Sequence, residues 1–406
     1  MNAPGDLASE RRIVFVLAAV QFVNILDFMI VMPLGPDFAR ALAVPVANLG
    51  YVGGAYTLAA AVSGIMGSFF LDRFDRRVAM TVSMLGLGAG TALGGIAWDF
   101  ESLLYARIIA GAFGGPATSV AFAIIADRIP LERRGRATGA VMGAFAAASV
   151  LGVPTGLELA RIGGWKLPFF AIAGLCFAIT AGAAWVLEPM RAHVATARTP
   201  TWQSLGALLR PRILRSDLMT ALAMGSGFIL IPNISAYVQG NLRYPRERLG
   251  MLYLCGGVIS FVTTRYAGRL VDRYGSTLVT NVGIALLSLT IYAGFVAVPP
   301  QIPAPLMFMA FMLAMGLRNV AYNTLTSKVP APNERAQFMS LQSAVQHLAS
   351  ASGALMSSRM LSEGPNQVLI GMDHVAWASI VLGCALPFVV WRVEAEVRQR
   401  VSEVKT

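Results

Sequence analysis

Twelve stretches of mostly apolar residues, each close to the roughly 20 needed to cross a bilayer core as a helix, fill nearly the whole chain. They run over 13–35, 47–70, 78–97, 100–124, 136–160, 164–187, 217–239, 248–270, 277–297, 304–327, 336–360 and 374–391. With 56% hydrophobic and only 13% charged residues, and a mean hydropathy of +0.63, an ordinary soluble protein is excluded, because lipid must be the main solvent of such a surface. The intervals are too short for a separate soluble domain. The first span is expected to stay as a helix, since its apolar core from Ile13 to Leu34 is too long for a signal peptide and no small-residue cleavage site follows it. The expected fold is an all-α membrane protein with twelve transmembrane helices.

A formal charge of +11 would suit a nucleic-acid binder, but the placement of the basic residues argues otherwise. With a cytoplasmic N-terminus, 22 of the 32 Lys and Arg fall on the cytoplasmic side and seven on the opposite side. The remaining three, Arg107, Arg265 and Arg318, lie inside spans. Positive charge concentrates on the side where both termini then lie, so both termini are expected to be cytoplasmic. The expected partners are the lipid bilayer and a small-molecule substrate, with no nucleic acid, and the chain is expected to act as a monomer. Cys176, Cys255 and Cys384 sit within spans without metal-ligand spacing and read as packing residues.

A shift of 200 positions places parts of the chain on itself. Leu49-Gly50 falls on Leu249-Gly250, Asp72-Arg73 on Asp272-Arg273, and Pro130 on Pro330. The register predicts two pseudo-symmetric six-helix bundles, 1–187 and 217–406, the second ending in a short cytoplasmic tail. A cytoplasmic connector over 188–216 joins them, with an amphipathic piece at Trp202 to Leu209. Parallel repeats of this kind belong to transporters that rock one half against the other around a central site.

The link after the eighth span contains Gly268, Asp272, Arg273 and Gly275 in the order Gly-x-Leu-x-Asp-Arg-x-Gly, which resembles a signature of the major facilitator superfamily. Its counterpart after the second span keeps Asp72, Arg73 and Arg76 but carries Ser68 and Asp75 where the pattern has glycines. The resemblance implies that these residues lock the cytoplasmic side; the alternative is that they are loop charges that set topology. Arg107 with Gly111 resembles the Arg-x-x-x-Gly motif of the fourth helix. Gly143, Gly152, Pro154 and Gly156 resemble the Gly-Pro-rich motif of the antiporter branch, here split by Val153. Pro154 removes one helical hydrogen bond and the glycines permit bending. The whole pattern is similar to drug:proton antiporter-like members and to bacterial drug, sugar and siderophore exporters.

Asp27 is the acidic residue placed deep within a span, and a charge there costs at least a few kcal/mol on insertion scales. By helical rise it lies roughly 12 Å below the outer end of the first span, and Arg107 roughly 10 Å below that of the fourth, so the two can pair. Burial disfavours a charged carboxyl while a nearby Arg favours it, which suits Asp27 to proton coupling with Arg107 as its tuner. A static ion pair is the alternative. Arg318 lies about 10 Å deeper than Arg107 and needs another partner, such as an anionic or oxygen-rich part of the cargo. Asn24, Tyr51, Tyr56, Asn233, Tyr237, Asn319, Tyr322, Asn323, Gln342 and Gln346 are candidates to line a polar cavity with it; packing hydrogen bonds between helices are the other reading. His347 is read as a packing residue.

These features predict a secondary active exporter of a small organic solute, working by proton-coupled antiport through alternating access. A proton-coupled importer or a passive facilitator of a small metabolite is the alternative, and a non-transporting membrane receptor is the least expected. An enzyme is not expected, because His193, His347 and His374 show no metal spacing and there is no catalytic constellation or Gly-x-x-x-x-Gly-Lys loop. No cofactor or metal is expected, with the proton motive force as the energy source.

Overall fold

The computed structural model describes residues 4–191, 210–297, 302–330 and 335–405. Most of the connector, including Trp202–Leu209, lies outside the described residues. The twelve spans are α1 (Pro4–Ala41), α2 (Leu49–Phe70), α3 (Arg76–Gly95), α4 (Phe100–Arg128), α5 (Arg133–Gly163) and α6 (Lys166–Val186). They continue as α7 (Pro211–Gly240), α8 (Leu249–Tyr274), α9 (Ser276–Val296), α10 (Ala304–Thr326), α11 (Arg335–Met360) and α12 (Met372–Lys405). Helices satisfy every backbone group within the segment, which is what lipid demands.

Ten of these are long and apolar enough to cross a membrane. The other two are α8, whose last three turns carry Arg265, Arg269, Asp272 and Arg273, and α11, which is rich in Ser and Gln. A two-stranded antiparallel hairpin, β1 (Ser362–Glu363) with β2 (Leu369–Ile370), joins α11 to α12.

The chain divides into two compact units, residues 1–44 with 55–199, and 45–54 with 200–406. In each, the third helix packs on the fourth and sixth, and the first on the fifth and sixth. The expected first bundle includes residues 45–54, but these group with the second unit. Gly50 lies so close to α11 that an added Cβ would stand 2.2 Å from the carbonyl oxygen of Ala354, and the Val46 N–H donates to Glu363 at 2.6 Å. Small residues permit this approach. Apolar side chains also obey the repeat on the third helix of each unit: Val78 and Val82 are exposed on α3, Leu278 and Val282 on α9.

Helix starts are set by local chemistry. Asp99 caps α4 in a reciprocal box with Ser102. Asp75 caps α3, accepting from the backbone of Arg77 at 2.8 Å and Met190 at 3.1 Å, with Arg191 at 3.4 Å. The equivalent position in the second unit is Gly275, with φ of +87°, a conformation open to glycine. There Glu394 of α12 reaches over to accept from the N–H groups of Ser276 and Thr277. The motif departure at Asp75 therefore has a physical role: a side-chain cap replaces a glycine turn with a borrowed cap.

Gly111 explains the spacing of the fourth-helix motif. A Cβ there would stand 2.2 Å from the Tyr56 carbonyl oxygen, so α2 and α4 touch backbone to side one turn from Arg107. Gly111→Ala is expected to destabilise the fold by about 1–3 kcal/mol. Gly139→Ala, which meets nothing within 4 Å, should be neutral or stabilising by up to about 1 kcal/mol. Thermal unfolding in detergent compares the two, and equal melting temperatures would contradict the packing account. Burial of Asp75 opposes its charge, but N–H groups of Met190, Arg77 and Val78 and the Arg191 guanidinium outweigh this and hold its carboxyl below the usual range. A depressed folded value means stabilisation that is complete above the ordinary carboxylate pKa of about 4 and is lost as pH falls through the folded value. Melting temperature should therefore fall more steeply below about pH 4 in the wild type than in Asp75→Asn.

Candidate functional site

Asp27 on α1 and Arg107 on α4 are each 1% exposed. Arg107 Nη1 donates to Asp27 Oδ1 and Nη2 to Oδ2, both at 3.0 Å, and Nη2 also reaches the Asp27 carbonyl at 3.4 Å. Thr91 on α3 donates to Oδ1 at 2.8 Å. The guanidinium carbon lies 4.7 Å from the centre of the Tyr56 ring, whose π-face favours a cation, and Phe28 stacks on that ring at 5.4 Å. Such a fork is the strong, geometrically specific form of ion pair. Taking away the carboxylate charge would leave Arg107 buried and unpaired, at a cost of about 3–5 kcal/mol.

A second polar chain borders the pair. Tyr56 donates to Asn24 Oδ1 at 2.8 Å, while Asn24 Nδ2 donates to the Gly114 carbonyl at 2.9 Å and to Thr118 at 2.8 Å; Thr118 donates to Gln21 at 3.1 Å. Tyr56 and Asn24 thus stand together beside the pair. Tyr51, half-buried, lies in the part of α2 that groups with the second unit.

The Gly-Pro-rich motif of α5 lies against the same turn of α1. A Cβ on Gly152 would stand 2.7 Å from Leu26, and one on Gly156 would stand 2.5 Å from Ile30, one residue before and three after Asp27. Pro154 follows a π-helical turn at Ala148–Gly152, the local widening that accommodates a missing N–H. Gly143 joins the Leu131–Met142 helix to the next segment.

Of the expected gating residues, Arg76 is buried and pairs with Asp127 at 3.1 Å. Arg73 is exposed. The Asp72 backbone lies in a 3-10 turn, Leu71–Arg73, and its side chain lies outside the described residues. In the second unit Asp272 is exposed and bonds no described side chain, Arg273 stacks on Tyr274 at 5.3 Å, and Gly268 faces open space. Glu394, on the helix the sequence reads as tail, does the joining there.

The remaining candidates, all in the second unit, form separate groups in this structure. The sequence reading collects them into one cavity. Arg318 bonds Ser226 and Asn319. Gln342 bonds Asp217 at 2.8 Å, Ser216 at 3.2 Å and Thr220 at 2.5 Å. Asn233 bonds Ser357 at 3.0 Å, and Tyr237 turns to the Gly294 carbonyl at 2.9 Å. Tyr322 is packed among Ile213, Met219 and Leu386 and also interacts with Arg318 and Asn323; Asn323 and Gln346 are exposed. The α7 partners stand at successive levels: Asp217 and Ser226 lie nine residues apart in Pro211–Phe228, and Asn233 and Tyr237 follow the interruption after Phe228. Sequence reasoning missed Thr91, a hydroxyl with no charge to mark it. It also missed Asp217, which looks like a span-edge charge but is buried because α7 begins six residues earlier, at Pro211.

Residues 17–354 match the Major Facilitator Superfamily model. The chain is similar to a chloramphenicol resistance protein of Streptomyces lividans, 26% identical over 362 residues that cover 87% of this chain and 90% of that protein. It is also similar to a chloramphenicol efflux pump of Mycobacterium tuberculosis, at 24% identity over 66% of this chain and 65% of the other. Among solved structures, a bacterial homologue of the human lysosomal transporter Spinster has a TM-score of 0.76 at 16% identity, covering 98% of this chain and 99% of its own. A D-xylose–proton symporter has 0.75 at 17%, covering 95% and 98%. At these identities the two structures show the shared twelve-helix fold. The chain belongs to the Major Facilitator Superfamily: it is a multi-pass membrane transporter of small molecules and not an enzyme.

Proposed function

We propose that this transporter is a secondary active exporter of a small organic solute, driven by proton antiport through alternating access. It works as a monomer in a bacterial inner membrane, with both termini cytoplasmic. The observation that carries the reading is the buried fork between Asp27 and Arg107, each 1% exposed. In the closed environment each charge depends on the other. A proton on Asp27 releases Arg107 and makes the arrangement costly until water or another partner reaches the guanidinium. Proton binding and helix rearrangement are thereby coupled. The motif glycines of α5, seated on Leu26 and Ile30, give that rearrangement a place to act on α1.

The cytoplasmic residues Asp72, Arg73, Arg76, Gly268, Asp272, Arg273 and Gly275 serve the gate in this reading, and the polar groups of α1, α2, α7, α10 and α11 contact cargo. The names of the Streptomyces and Mycobacterium relatives support export over uptake and make chloramphenicol the first compound to try.

In proteoliposomes with an imposed pH gradient, the wild type should concentrate its substrate and Asp27→Asn should not, leaving at most downhill equilibration. Gradient-driven accumulation by Asp27→Asn would end the coupling role. In cells loaded with a compound panel including chloramphenicol, the protein should lower accumulation, and a proton ionophore should abolish the difference. Higher accumulation would mean import, and efflux indifferent to the ionophore a facilitator.

A further inference from the structure

Among the described residues two arginines are buried within the spans to 1% or less, Arg107 and Arg318. Arg107 has the carboxylate of Asp27. Arg318 on α10 is 0% exposed and has neutral partners: Nη1 donates to Ser226 Oγ at 3.0 Å, and Nε and Nη2 donate to Asn319 Oδ1 at 3.3 and 3.1 Å. No described carboxylate forms an ion pair with it. A guanidinium has five N–H donors, so these three bonds leave two that no described residue accepts.

Asp217 shares α7 with Ser226 but stands nine residues earlier, about 13 Å by helical rise. Its carboxylate is occupied by the Gln342 amide at 2.8 Å. It does not neutralise Arg318. The interruption of α7 after Phe228 directs the negative end of a helix dipole toward this region. A helix end carries only about half an elementary charge, too little to answer a full charge held away from water. Part of the charge therefore stays uncompensated.

The backbone around the guanidinium is arranged for close approach. Nη2 lies 3.4 Å from where a Cβ on Gly227 would stand, and Gly283 of α9 admits the α10 backbone at Arg318 to 2.9 Å of its own Cβ position. Asn319, held by its carbonyl oxygen on Nε and Nη2, leaves its amide nitrogen as a further donor beside the fork. The group offers donors and a positive charge with no competing acceptor of negative charge.

We propose that Arg318, with Asn319 beside it, is the specificity site for a carboxylate on the transported solute, so that the cargo includes organic monoanions. The two N–H groups without protein acceptors meet the carboxylate oxygens, in the charge-assisted geometry that favours Arg over Lys. This deepens the transport reading and rests on it only in taking the bound molecule to be cargo.

The test uses the full chain purified in detergent, with chloramphenicol and its hemisuccinate ester, which share a scaffold and differ by one carboxylate-bearing arm. Equilibrium binding to the wild type should favour the ester by about tenfold or more, as charge-assisted bonds imply. Arg318→Met should bring the ratio toward one, and Arg318→Lys should retain part of it. The wild-type ratio needs no variant to fold. No preference for the ester, no binding of the ester, or a preference that survives in Arg318→Met would each overturn the proposal. A preference erased by a tenfold rise in sodium chloride would assign the site to inorganic anions and overturn the carboxylate assignment. Binding is read without a gradient, so failure of the antiport reading leaves this result intact. Loss of the preference, in turn, would leave gradient-driven export standing.

Discussion

A charge inside a membrane protein is costly unless something answers it, and the buried pair of Asp27 and Arg107 is where this chain answers two charges with each other. The surrounding helices are shaped to hold the pair. Gly111 brings α2 against α4 one turn away, Gly152 and Gly156 bring α5 onto α1 on either side of Asp27, and Thr91 adds a third hydrogen bond from α3. Five of the six helices of the first bundle thus contribute a residue or a glycine contact to one small volume. In the proposed mechanism that rigidity matters, because the pair would act as a switch only if breaking it has a definite consequence elsewhere.

The two units solve the same packing problem with different residues. Asp75 and Gly275 occupy equivalent places, 200 positions apart, and each begins the third helix of its half. One supplies its own cap; the other takes a left-handed turn and accepts a cap from Glu394. Charge is divided unequally as well. The first unit contains a closed ion pair, and the second a buried arginine and a buried aspartate that do not meet. That asymmetry suits a division of labour in which one half handles the proton and the other the solute.

The spans, the repeat and the family motifs were legible in the sequence because lipid imposes length and hydrophobicity on every segment. The Asp27–Arg107 contact was also legible, since two charges at matched depth in apolar helices have few other partners. Helix ends were not: α1 runs from Pro4 to Ala41 and α12 to Lys405, beyond their apolar stretches, because a helix continues into water when no residue stops it. The polar residues of the second unit have different surroundings in this structure. Tyr237 and Tyr322 look alike in sequence, yet one is turned to the Gly294 carbonyl and the other packed in the core. Hydroxyl and amide groups carry no depth signal, so which neighbour each meets depends on how the helices pack, and for Asn233 and Tyr237 on the interruption in α7, neither of which sequence periodicity locates.

The central claim is that Asp27 takes up and releases a proton, and infrared difference spectroscopy on the purified, lipid-reconstituted protein reads this without knowledge of the cargo. On acidification the wild type is predicted to gain a protonated-carboxyl C=O band, with loss of the matching carboxylate band, that is missing from Asp27→Asn. Superimposable difference spectra for the two proteins would contradict the account and leave the pair a fixed structural element.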